Sequence, residues 1–177
     1  MRIVDVQTGD VEVLCGSGCV CTSAIGSCVA VMMLDTEHHV GGIAHIMLPG
    51  SAPPGCAAHP LRYTSNGISR LLLLMQQGGA RIHSLITAIA GGGNVLQKPD
   101  DTICRDNIFS VESFLAHNHI RLYAASTGGV CRRTGRVNLD EGSITCCVGD
   151  GPETILWQKQ TTESYTDSRV LKSDVMI

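Results

Sequence analysis

At 177 residues the chain has the length of one ordinary domain, and its 44% apolar content excludes wholesale disorder. Thirteen Lys and Arg against sixteen Asp and Glu leave a net charge of −3 with no long run of one sign, which argues against an electrostatic nucleic-acid binder. The longest purely apolar stretches, 28–34 and 71–75, fall far short of a membrane span, and Asp5, Asp10 and Glu12 do not suit a signal peptide. The expectation is a soluble, cytoplasmic protein with no membrane insertion.

Two Phe, one Trp and three Tyr serve the whole chain, so the core must be built from Val, Ile, Leu, Ala, Met and Cys. Ile3 to Val6 and Val11 to Cys15, parted by Thr8-Gly9-Asp10, predict a small hairpin. The Gly- and Ser-rich passage 16–28 predicts a loop running into a strand. Val29 to Leu34 is continuously apolar and predicts a strand buried on both faces. A polar connection carrying His38 and His39, expected to be solvated, leads to a second strand over Ile43 to Leu48. The consecutive prolines in 51–60 impose a loop.

Ile68, Leu71, Leu72 and Met75 fall at helical spacing and stop at Gly78-Gly79. Arg81 to Ala90 predicts a strand ending in Gly91-Gly92-Gly93, which reads as a tight turn. A second helix is predicted over Ile103 to Asn118, a strand over Ile120 to Ala125, and a closing hairpin from Val137–Leu139 and Ser143–Val148. Gln158 to Arg169 contains no Leu, Ile, Val or Met. The expected organisation is a domain over 1–150 and a C-terminal extension or arm over 151–177. Strands with two main helices give a mixed or layered α/β class.

Nine cysteines, an odd number in a chain expected in a reducing compartment, do not form a full set of disulfides. Cys15, Cys19 and Cys21 have the spacing C-x3-C-x-C, which is not a common zinc knuckle; a zinc-binding domain stands as an alternative, and no metal is expected. Most of these thiols read as small buried hydrophobes. Cys28 is different. If strands 28–34 and 43–48 pair as a hairpin, one register places Cys28 opposite Met47, with His45 its diagonal neighbour. Another places it directly opposite His45. Both bring a thiol and an imidazole together; a shift of parity would separate them. Such a pair gives a thiolate able to attack an acyl carbon and an imidazolium able to protonate the leaving group. Gly26 and Ser27 let backbone N–H groups approach the sulfur, as an oxyanion hole requires.

The runs TSAIGSCVAVMMLD and GGIAHIMLPG resemble the T-x-x-x-GSC and H-x-MLP elements of the CheD family of chemoreceptor glutamine deamidases. RYTSNGISRLLLLMQQGGA, LITAIAGGGN, DNIFSVESFL and STGGVCRRTGRV resemble further elements of that family, in order, over most of Thr22 to Val148. Gly67 departs from it, standing where the family's helix usually has Ala; it should weaken that helix. The resemblance implies a layered α/β sandwich of mixed β-sheets with two main helices, and no cofactor. It also implies Cys28 as nucleophile, His45 as general base and Thr22 as the residue that orients it. The implied substrate is the cytoplasmic domain of methyl-accepting chemoreceptors, and the implied partner a CheC-type phosphatase. An adaptor that binds and stimulates such a phosphatase, with weak or no catalysis, is the alternative. Arg132, Arg133 and Arg136 form a basic cluster suited to an acidic receptor surface or to plain solvation.

Overall fold

The computed structural model describes residues 2–55, 58–100 and 102–160. Within them the short apolar runs become the strands β1 (Ile3–Asp5), β2 (Val11–Cys15), β3 (Cys19–Ile25), β4 (Val29–Asp35) and β5 (Val40–Ile46). The helix α1 (Thr64–Gln77), strand β6 (Ile86–Gly91) and helix α2 (Ile103–His117) follow. β7 (Leu122–Thr127), β8 (Arg133–Asn138), β9 (Ser143–Val148) and β10 (Thr154–Gln158) complete the order. One sheet runs β1-β3-β8-β9-β10 and the other β2-β5-β4-β6-β7. Each sheet contains one parallel pair, β1 with β3 and β6 with β7.

The alternation of side chains along a strand shows how the layers stack. On β4, Val29, Val31 and Met33 join Ile68, Leu71, Met75, Val111 and Leu115 in a cluster shared with both helices. Ala30, Met32 and Leu34 join Val20, Ile25, Val137 and Ile144 in a second cluster, between the two sheets. The architecture is therefore a layer of helices, a central sheet and an outer sheet. β4 is buried at every position because both its faces are covered. This is the layered α/β sandwich that the sequence leads one to expect.

Several local expectations are corrected. β1 and β2 do not form a hairpin: β1 joins β3 in the outer sheet and β2 joins β5 in the central one. The chain changes sheet at this point, β1 forming one edge of the outer sheet and β2 one edge of the central sheet. The Gly- and Ser-rich passage is mostly strand β3, since burial of Val20, Thr22 and Ile25 against the central sheet outweighs a loop-like composition. The stretch before β6 opens with a short 3-10 turn, Ile82–Ser84. Within the expected extension, Thr154–Gln158 pairs antiparallel with β9 as a sheet edge; residues 161–177 lie outside the described residues.

His38 is not merely solvated. Its Nδ1–H donates to Asp35 at 2.8 Å, and the fully buried Asp35 also accepts the backbone N–H groups of Glu37, His38 and Arg81. Burial pushes the Asp35 carboxyl up, but these donors outweigh it and hold the group below the usual carboxylate range. The β4–β5 turn is thus tied to the approach to β6.

Gly67 has a packing reason. A Cβ there would lie 2.7 Å from the Leu61 carbonyl oxygen and against Ile46 Cδ1, so α1 approaches β5 more closely than alanine permits. Ala is favoured over Gly by about 1 kcal/mol in a helix interior, whereas overpacking typically costs about 1–3 kcal/mol. Gly67→Ala should therefore lower stability despite its better helix propensity, read as a reduced urea midpoint at unchanged m-value.

Candidate active site

β4 and β5 pair with Ala30 opposite His45 and Val29 opposite Ile46. Continued by one residue, this register sets Cys28 opposite Met47, with His45 on the same face one pair further in. The diagonal arrangement is adopted and the directly facing one is not; such neighbours stand about 7–8 Å apart at their Cα atoms. Ile43, two residues before His45, belongs to the cluster between the sheets. His45 therefore points away from the helices and toward the outer sheet.

There it meets Thr22 of β3, whose Oγ1 lies 2.8 Å from His45 Nδ1 and donates to the Val6 carbonyl at 2.9 Å. A hydroxyl has one proton to give. Because that proton goes to Val6, Nδ1 must be the protonated nitrogen and Thr22 its acceptor. Nε2 is left as the basic nitrogen. It is buried and has no hydrogen-bond partner among the described residues. Just beyond Thr22 the β3–β8 register slips between Thr22 and Ile25, and Ala24 adopts a φ of 56°. A bulge of this kind bends a strand and re-aims its side chains; here it turns the chain from β3 into the 26–28 loop.

Cys28 is partly exposed and lines a cleft of about 310 Å³ with Ala24, Gly26, Ser27, Asn94 and Arg132. Its loop is held by the glycine run after β6. Gly92 N–H donates to the Cys28 carbonyl at 2.7 Å and Gly93 N–H to the Gly26 carbonyl at 2.8 Å. Gly91 has a φ of 127°, and a Cβ on it would collide with the Cys28 carbonyl oxygen. The glycines are a seat for the Cys28 loop. From α2, Asn107 Nδ2 donates to the carbonyls of Ser27 and Met47, each at 3.0 Å. The only sequence signal for Asn107 is that of a lone amide on the apolar face shared by Cys104, Val111 and Leu115, which by itself does not mark a functional residue.

Burial governs the charge state of the pair. It pushes the Cys28 thiol up, and Cys104 adds to this, while the residue's own N–H pulls the other way. Burial also pushes His45 down to about 4, against the opposing pull of Asp10 and Asp5. The expected thiolate and imidazolium are therefore replaced at rest by a neutral thiol and a neutral imidazole.

Other candidates are placed elsewhere. Cys15 is exposed on β2 while Cys19 and Cys21 lie on β3, in the other sheet. No group of three or more His, Cys, Asp or Glu converges on a metal position among the described residues. The arginine cluster is divided. Arg133 is buried and bonded to Ser126 Oγ and the Cys131 carbonyl, Arg136 faces Glu153 at 3.5 Å, and only Arg132 reaches the Cys28 cleft.

Comparison with known proteins gives this geometry its context. The family described as "CheD chemotactic sensory transduction" matches residues 47–147. A "Probable chemoreceptor glutamine deamidase CheD" of Chlorobium luteolum is 34% identical over 85% of this chain and 75% of its own. The "Chemoreceptor glutamine deamidase CheD" of Thermotoga maritima is 32% identical over 78% of this chain and 87% of its own. A relative from Pyrococcus abyssi, with the same name as the first, is 33% identical over 81% and 90% respectively. By the extent of these matches and the layered fold that accompanies them, the chain belongs to the CheD family.

Proposed function

We propose that this protein deamidates specific glutamine side chains on the cytoplasmic domains of methyl-accepting chemoreceptors, through a thioester on Cys28. The observation that carries the reading is His45. It is held by Thr22 in the tautomer that leaves Nε2 basic, on the strand face it shares with Cys28. The names of the relatives supply the substrate class. A cleft of about 310 Å³ is at the small end of ligand pockets and is large enough to admit one side-chain carboxamide.

Nε2 of His45 takes the thiol proton as Cys28 Sγ bonds to the carboxamide carbon, so proton transfer accompanies attack from the neutral pair. The tetrahedral oxyanion is stabilised by backbone N–H groups of the Gly26-Ser27-Cys28 loop. His45 returns the proton to the amide nitrogen and the C–N bond breaks, releasing ammonia and leaving a γ-glutamyl thioester. A water molecule then gives a proton to Nε2 and its oxygen to the carbonyl carbon. Collapse restores the thiol and frees glutamate. The sum is one glutamine and one water converted to one glutamate and one ammonia, with one negative charge added to the receptor after ionisation. No cofactor enters any step, and the setting is the cytoplasm, where receptor signalling domains lie.

The same reading carries a CheC-type phosphatase as partner. Leu96, on the cleft wall, and Phe109, on the adjoining groove, are 70% and 71% exposed and offer apolar contact to a docking protein. Cys28→Ala should still bind such a phosphatase in a pull-down, because docking uses surface and not the thiol. Loss of binding with unchanged circular dichroism would show the two surfaces to be one.

Receptor fragment turnover, followed by mass spectrometry of glutamine-to-glutamate conversion, tests the chemistry. Cys28→Ala should abolish it, and His45→Ala should lower kcat by about 10²–10⁴-fold. Thr22→Ala should cost about ten- to a hundredfold, through misorientation of the ring. Near-normal turnover by Cys28→Ala or His45→Ala excludes the mechanism.

The pH profile has a definite sign. His45 acts only when neutral, and burial has moved its titration down to about 4. Activity should therefore be held from neutral pH to about pH 5 and decline only as pH falls through about 4. An acid limb at the ordinary imidazole value near 6.5 would contradict a buried neutral base.

A further inference from the structure

We infer that Asn107 is a positioning residue that aims the backbone N–H of Cys28 at the oxygen of the reacting carboxamide. The inference rests on the thioester reading above and adds a residue to it.

Asn107 is 0% exposed on the inner face of α2. Its amide nitrogen carries two hydrogens, and both are used: one on the Ser27 carbonyl, one on the Met47 carbonyl, each at 3.0 Å. Those carbonyls belong to the two strand ends that matter. Ser27 precedes the nucleophile, and Met47 follows His45 by two residues. A single side chain thus ties the Cys28 loop to the strand of the base.

The consequence follows from peptide geometry. A trans peptide is planar, so its C=O and the next residue's N–H point in opposite directions. Holding the Ser27 carbonyl toward α2 turns the Cys28 N–H away from the helix. That N–H lies beside the Cys28 sulfur. The preceding peptide is held in the same manner: Gly93 N–H binds the Gly26 carbonyl at 2.8 Å, which sets the direction of the Ser27 N–H. Among the described residues neither the Ser27 nor the Cys28 N–H donates to a carbonyl or to another side chain. Gly26, Ser27 and Cys28 all line the cleft, whereas Asn107 does not. Two N–H groups without a carbonyl partner among the described residues therefore stand by the nucleophile, one aimed by a side chain and one by a glycine.

Packing alone does not explain an amide here. The Oδ1 of Asn107 is buried without a partner among the described residues, a cost that a leucine of similar volume would avoid. What leucine cannot supply is the pair of donors.

The test compares two reactions of the full-length protein. One is deamidation of a chemoreceptor cytoplasmic fragment; the other is alkylation of Cys28 by iodoacetamide at neutral pH, read on the Cys28 peptide. Alkylation displaces iodide at a saturated carbon and builds no oxyanion. Asn107→Leu should lower kcat by about 10²-fold, the scale of losing one oxyanion donor. KM and the alkylation rate should each stay within about twofold of wild type, since binding and nucleophile are untouched. Asn107→Asp offers a second readout in case the leucine variant does not fold. Its ionised carboxylate faces two carbonyls and is inactive, whereas its protonated form can donate to one. Its kcat should rise as pH falls from 8 toward 5, where the wild type gains nothing. Equal losses in both reactions, an unchanged kcat, or no pH recovery in Asn107→Asp would overturn the inference. A wild-type protein that leaves receptor glutamines intact would instead sink the deamidase reading itself.

Discussion

The hydrogen bond between Thr22 and His45 crosses the gap between the two sheets, and the rest of the proposed site depends on it. The gap is otherwise filled by Val, Ile, Leu, Met and Ala, a medium in which an unpaired imidazole N–H is costly. Thr22 meets that demand and passes it on to the Val6 carbonyl. The relay works because β1 and its continuation lie beside β3 in the outer sheet. Had β1 and β2 formed the simple hairpin that their spacing suggests, Val6 would not stand there. A short edge strand therefore helps to determine the tautomer of a histidine in the other sheet.

The proposed nucleophile is held by different means. Cys28 lies just outside β4, where ladder hydrogen bonds end, and its loop is fixed by donors from neighbouring segments. The glycine run after β6 supplies backbone N–H groups at distances that a side chain on Gly91 would prevent. α2 supplies Asn107. These contacts join β6 and the helix layer to the strand ends of the central sheet, so the loop has little freedom to turn its peptide planes. Preorganisation of this kind is valuable where the catalytic donors are backbone groups, because they cannot adjust by rotating a side chain.

Burial has a second effect on the pair. The dry environment that orients His45 also keeps it neutral, and it keeps Cys28 protonated. On the proposed mechanism the resting site is a weaker nucleophile than an ion pair, but its base is available over a wide range of pH. Partial exposure of Cys28, against 1% exposure of His45, leaves the thiol as the group a substrate meets first. The proposed base, His45, stands behind it.

Much of this was legible in the residues themselves. Continuous apolarity from Val29 to Leu34 marks a strand covered on both faces, and helical spacing at Ile68, Leu71 and Met75 marks α1, because burial periodicity is a local property of the chain. The GSC and H-x-MLP runs identify Cys28, His45 and Thr22 as candidates through resemblance. The sequence left open which of two registers relates Cys28 to His45, since a shift of pairing moves every contact while leaving composition unchanged. Tertiary structure alone decided the partner of β1 and the strand character of the Gly- and Ser-rich segment. It also decided the charge state of the dyad and the reach of Asn107 to two strand ends. Each of these depends on what lies across a layer boundary, from residues distant in the chain. Desolvation and hydrogen-bond direction are set by those neighbours, and local pattern carries no record of them.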